Sequence, residues 1–161
     1  MGRARVRVLV VDDYEPWRNF IVTTLRGQPE LDVIAEASDG LEAVKRAQEL
    51  HPDLILLDVG LPSLNGIDVA RRIKACANQA RILFVSENRS REIVEEALRT
   101  GAAGYVIKAE ANSDLLPAIR AVLARGRFVS SALCACVMVT AGVSGAQAYV
   151  SSLLMFIAGM H

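Results

Sequence analysis

The sequence predicts an α/β fold built on a parallel sheet with helices on both faces. Three observations predict it. Strand-like and helix-like patterns alternate over residues 5–127. The strand-like runs are apolar almost throughout, as strands buried on both faces must be. Polar residues with reactive side chains stand just after those runs, at the carboxyl ends of strands, where open α/β sheets place their ligand site.

Each element follows from its residues. Val6–Val11 is β-branched and nearly continuous, which fits a buried strand. Asp13–Gly27 carries Trp17, Phe20, Ile21 and Leu25 at helical spacing, with Gly27 placed to end the helix. Leu31–Ala37 alternates as a second strand. Asp39-Gly40 turns the chain into an amphipathic helix, Leu41–Leu50, which Pro52 stops. His51 stands at that helix end with no chemical role. Leu54–Leu57 is a wholly apolar third strand. Asn65-Gly66 opens a helix whose stripe is Ile67, Val69, Ala70 and Ile73. Arg81–Val85 is the fourth strand, Arg91–Arg99 a helix ended at Thr100-Gly101, and Gly104–Ile107 the fifth strand. Asn112 or Ser113 is placed to cap a last helix, Asp114–Ala124. Right-handed crossovers leave few ways to order such strands.

The chain has 161 residues, enough for one domain and a short extension, and Lys plus Arg balance Asp plus Glu at 18 each. Net charge therefore selects no class of partner. The distribution is informative: every Asp, Glu, Lys and Arg lies at or before Arg127, and Phe128–Met160 has none. Cys76, Cys134 and Cys136 have neither disulfide-like nor zinc-like spacing and read as small apolar residues, buried or facing lipid. The amino-terminal apolar run is too short for a signal peptide and ends in two aspartates, so a reducing cytoplasmic setting is expected.

Asp12 and Asp13 follow the first strand, Asp58 ends the third, Ser86 follows the fourth and Lys108 follows the fifth. The fold predicts that all five meet at one sheet edge. Three clustered carboxylates repel one another and call for a hard cation. Mg²⁺ prefers oxygen ligands, keeps several waters and accepts phosphate oxygens. One carboxylate can then act as nucleophile toward a phosphoryl group, a reaction that needs positioning and charge neutralisation above all. Lys108 supplies a compact positive charge for a phosphoryl oxygen or the resting carboxylate, and Ser86 a hydroxyl donor. Ser86 is equally suited to cap a helix.

The stretches VLVVDD, LILLDVGLP with Gly66 following, ILFVSE and GYVIKA resemble the receiver domains of two-component response regulators, the CheY-like superfamily, over residues 5–127. The resemblance implies a flavodoxin-like (βα)5 three-layer sandwich with a parallel sheet in the order 2-1-3-4-5. It implies that Asp58 is the phosphoacceptor. It also implies that Asp12, Asp13, Asp58 and the backbone carbonyl of Gly60 hold Mg²⁺, and that Ser86, Lys108 and Tyr105 are the phosphate-binding and switch residues. Phosphorylation would draw Ser86 toward the phosphoryl group, turn Tyr105 inward and remodel the surface of helix four, strand five and helix five. Implied partners are a histidine kinase or phosphotransfer protein, and a second copy through that surface. Enzymatic turnover is not expected.

Three positions depart from the family pattern. Glu87 stands where Ala is common and places a carboxylate beside the pocket. Lys108-Ala109 replaces Lys-Pro, so a trans peptide is expected there. Gly60 replaces a bulkier residue and opens the mouth of the site. A phosphatase of the haloacid dehalogenase type also uses Asp and Mg²⁺, but it places its nucleophile in D-x-D after the first strand, where this chain has DDY.

Residues 118–133 resemble the end of a NarL/FixJ-type receiver and its linker, which in that family lead into a helix-turn-helix DNA-binding domain. Residues 128–161 hold no Lys or Arg, so no nucleic-acid binding is expected through them. Their apolar length after Arg120, Arg125 and Arg127 suits a membrane anchor. The polar stripe Thr140, Ser144, Gln147 and Ser151 suits a packed helix instead. A transcription regulator that has lost its output domain is the third reading.

Overall fold

The computed structural model describes residues 2–77 and 79–133. Six strands form one parallel sheet: β1 (Val6–Val11), β2 (Leu31–Ala37), β3 (Leu54–Leu57), β4 (Arg81–Ser86), β5 (Gly104–Ile107) and β6 (Phe128–Val129). Their order is β2-β1-β3-β4-β5-β6. Five helices connect them: α1 (Glu15–Arg26), α2 (Gly40–Leu50), α3 (Gly66–Cys76), α4 (Arg91–Arg99) and α5 (Ala111–Leu123).

The period-2 geometry of the strands divides the core in two. Leu9, Val11, Ile55, Leu57, Ile82, Phe84, Tyr105 and Ile107 face one way and pack against α2, α3 and α4 through Ala47, Ile67, Ala70, Ile73, Val94 and Ala97. Val8, Val10, Leu54, Leu56, Leu83, Val85 and Val106 face the other way, against Ile21, Leu25, Leu115, Ile119 and Val122 of α1 and α5. The result is the expected three-layer sandwich. Each wholly buried Leu or Ile contributes about 1.5–3 kcal/mol from removal of apolar surface from water.

The local chemistry sets the element ends. Asp12 Oδ1 accepts the Tyr14 amide at 2.9 Å, a turn that holds both aspartates outside α1 and starts the helix at Glu15 rather than at Asp13. Pro16 sits in its first turn, where no amide donor is needed. The Asp39 carboxylate caps α2 by accepting from Leu41 and Glu42, and His51 closes that helix at φ 47° in the left-handed region. Asn65 caps α3 by accepting from Asp68.

Three expectations need correction. The sheet does not stop at five strands: Phe128–Val129 pairs in parallel with Gly104–Tyr105, and Ser130 and Leu133 are buried, so the apolar extension begins as part of the fold. The last helix starts at Ala111 rather than Asp114, because a 3-10 turn over Lys108–Glu110 leads straight into it and leaves Asn112 and Ser113 inside its first turn. Cys76 is exposed at the end of α3, not buried. The other two cysteines and the anchor and packed-helix readings of residues 134–161 lie outside the described residues. Among the described residues no helix is long and apolar enough to cross a membrane.

Candidate functional site

The expected residues come together at the carboxyl edge of the sheet because parallel strands all end there. Ligand oxygens of Asp12, Asp13 and Asp58 lie within 4.8 Å of one another. Asp12 is 1 % exposed and Asp58 7 %, whereas Asp13 is open to solvent. Lys108 reaches across from the end of β5: its Nζ lies 2.5 Å from Asp12 Oδ2 and 3.2 Å from Asp58 Oδ2. Burial pushes the Asp12 carboxyl above its ordinary range, against the pull of the Lys108 bond. Burial alone would lower the Lys108 pKa, but the bond to Asp12 and the charge of Asp58 raise it above its ordinary value. Three carboxylate oxygens in so small a space, one of them on an exposed residue, suit a hard divalent cation with water completing its shell. Gly60 stands exposed at the mouth, and a Cβ there would meet nothing within 4 Å.

Gly66 sets the loop beside Asp58. Its amide donates to the Val59 carbonyl at 2.8 Å, and a Cβ on it would lie 1.9 Å from the Asp58 carbonyl oxygen. Only a residue without a side chain allows this approach. On the far side of the same loop, the Ser63 hydroxyl donates to the Asp39 carboxylate, which ties the loop to the start of α2.

Ser86 is the last residue of β4, 2 % exposed. It caps no helix; its Oγ accepts the Asn88 amide at 3.2 Å, and α4 begins later, at Arg91. Tyr105 is wholly buried, stacked on Phe84 with centroids 5.9 Å apart, and its hydroxyl donates to the Asn88 carbonyl at 2.7 Å. It therefore already points inward, where an inward turn only on phosphorylation was expected. Burial pushes its phenol up to about 12, offset in part by the Ser86 hydroxyl. Glu87 is exposed, and among the described residues no peptide is cis, Lys108-Ala109 included.

Two residues near the site did not stand out in the sequence. The Trp17 ring lies beneath the Lys108 ammonium, 5.3 Å from Nζ to centroid. Arg18 donates to the Asp12 carbonyl at 2.8 Å and pairs with Glu36 at 3.4 Å. Both read as parts of an ordinary amphipathic helix. Their position one turn after the acidic pair was the available signal.

The family described as the response regulator receiver domain matches residues 8–120. The chain belongs to that family. The receiver is 34 % identical over 125 residues to the response regulator GacA of Pseudomonas viridiflava, covering 78 % of this chain and 58 % of that protein. It is 35 % identical over 130 residues to the transcriptional activator protein ExaE of Pseudomonas putida, covering 78 % and 59 %. The chain thus spans little more than half the length of the curated relatives it matches. Among solved structures, a LuxR-family two-component response regulator from Aurantimonas sp. SI85-9A1 superposes with a TM-score of 0.79 at 31 % identity, covering 83 % of this receiver and 96 % of that chain. The CheY-like resemblance and the strand order read from it are borne out for strands one to five. The acidic pocket is of the kind in which receivers bind Mg²⁺.

Proposed function

We propose that this receiver accepts a phosphoryl group on Asp58 from a histidine kinase or phosphotransfer protein and thereby switches an interaction surface. One observation carries the reading: the Lys108 ammonium bridges Asp12 and Asp58 in a pocket where three carboxylates converge. Asp12, Asp13, Asp58 and the Gly60 carbonyl would hold Mg²⁺, which would neutralise the carboxylates and the incoming phosphoryl oxygens.

The remaining steps belong to the chain's own residues. An Asp58 carboxylate oxygen attacks phosphorus; a P–O bond forms as the P–N bond of the donor phosphohistidine breaks, and the histidine leaves with its electron pair. Lys108 leaves Asp12 and turns to a phosphoryl oxygen. The Ser86 hydroxyl donates to another. Because Tyr105 is already inward, phosphorylation deepens an arrangement that the resting chain samples, a population shift rather than a new fold. The affected surface comprises α4, β5 and α5, and a second copy of the chain is its proposed partner. The similarity to a transcriptional activator favours a second reading of the output, control of transcription, with the receiver as the sensing part.

The test is labelling with acetyl phosphate. Stoichiometric phosphate incorporation that requires Mg²⁺ and disappears in Asp58→Asn supports the reading. Label retained in Asp58→Asn, or multiple turnover of a phosphate ester, overturns it.

A further inference from the structure

The apolar extension enters the fold at Tyr105 and at Ile107, the residue before Lys108. Ser130 is wholly buried. Its amide donates to the Tyr105 carbonyl at 3.0 Å. Its hydroxyl accepts the amide of Ile107, the residue before Lys108, at 3.1 Å and donates to the Asp114 carboxylate of α5 at 2.8 Å. A buried hydroxyl with both donor and acceptor engaged is costly to displace. Leu133, 2 % exposed, packs in the same cluster as Tyr105 and Ile107.

The fit of β6 against β5 requires a missing side chain. A Cβ on Gly104 would stand 2.3 Å from the Phe128 carbonyl oxygen. That oxygen is backbone, so the strand itself would have to move.

We propose that Ser130 is a positioning residue for Lys108 and that residues 128–133 form a latch coupled to the phosphoryl site. The backbone on either side of Lys108 is held by Ser130 on one side and by the 3-10 turn on the other. Docking of 128–133 thereby restricts where the Lys108 ammonium can reach. By linkage, a phosphoryl group that holds Lys108 in place must tighten the latch by the same factor. Residues 128–133 thereby report the state of Asp58 without touching it. This rests on the phosphoacceptor reading above.

Beryllofluoride with Mg²⁺ serves as the phosphoryl probe, and amide hydrogen exchange of the full chain as the latch probe. Acetyl phosphate labelling of the unmodified chain comes first; if it fails, the phosphoacceptor reading has failed, independently of the latch. With labelling established, beryllofluoride is expected to slow exchange across residues 128–133 roughly threefold to tenfold, the range of one net hydrogen bond. Gly104→Ala, which forces a Cβ against the Phe128 carbonyl and substitutes no site residue, is expected to weaken beryllofluoride binding by the same factor, and Ser130→Ala to do so in part. Unchanged exchange at 128–133 in the labelled, unmodified chain overturns the proposal. So does full beryllofluoride affinity in a Gly104→Ala chain whose 128–133 amides exchange freely.

Discussion

Replacing Lys108 with methionine isolates what the bridging ammonium does for the unliganded pocket. The pair with Asp12 is buried, at 9 % and 2 % side-chain exposure, and its charges lie 2.5 Å apart. An effective dielectric of about 20 makes the attraction about 7 kcal/mol, and bulk water makes it about 2 kcal/mol. Desolvation of both groups offsets much of this, and removing one partner of a buried pair costs about 3–5 kcal/mol. Lys108→Met should therefore lose about 3–5 kcal/mol in urea unfolding without Mg²⁺. At the proposed site Mg²⁺ would displace the ammonium from Asp12 in the unmodified chain but not in the variant. It should bind the variant roughly tenfold more tightly, about 1.4 kcal/mol, by isothermal titration calorimetry. At a Mg²⁺ concentration about 100 times the variant's Kd, mass action restores about 2.7 kcal/mol to it and about 1.4 kcal/mol to the unmodified chain, so the gap narrows by about 1.3 kcal/mol. High pH should close the gap as well. The folded pKa of Lys108 lies above its unfolded value of 10.5, so its contribution is complete below that value and is lost as pH rises through the folded one. Equal stability of the two chains without Mg²⁺, or weaker Mg²⁺ binding by the variant, would refute the idea that Lys108 occupies the metal's place on Asp12.

Other substitutions test neighbouring parts of the site. Gly66→Ala forces a Cβ to within 1.9 Å of the Asp58 carbonyl oxygen, so the acceptor loop must shift; a loss of about 1–3 kcal/mol in urea unfolding and much slower acetyl phosphate labelling are expected. Tyr105 is held neutral up to about pH 12, against 10.0 for a free phenol. Its contribution is therefore intact below about pH 10 and falls by about 3 kcal/mol between pH 10 and 12. Urea unfolding should show that loss in the unmodified chain and not in Tyr105→Phe. Asp39→Ala removes the cap of α2 and the acceptor for Ser63, and should lower the thermal unfolding midpoint, with weaker Mg²⁺ binding as the loop loosens.

Much of this receiver was legible in the order of its residues. Strands one, two, three and five and helix four begin and end where hydrophobic patterning puts them, because an apolar run bounded by charge or glycine has few other ways to hide from water. The acidic pair, Asp58, Ser86 and Lys108 could be assigned to one rim from the sequence alone, since parallel strands joined by crossovers must end on the same side. Boundaries set by particular hydrogen bonds were less accessible: the Asp12 turn moved the start of α1, and the 3-10 turn after Lys108 moved the start of α5.

The amino-acid order by itself determined the fold class and the chemical groups at the strand ends, because hydrophobic periodicity and side-chain type are local properties. Only the tertiary structure decided how those groups pair. Lys108 rests on Asp12 as well as Asp58, Trp17 lies under its ammonium, and Tyr105 is turned inward with its hydroxyl on the Asn88 carbonyl. It also decided that Phe128–Val129 joins the sheet and that Ser130 and Leu133 are buried. A two-residue strand has too little pattern of its own to be seen. Its place depends on the space left by Gly104 and on buried partners for Ser130, contacts that exist only once distant parts of the chain have met.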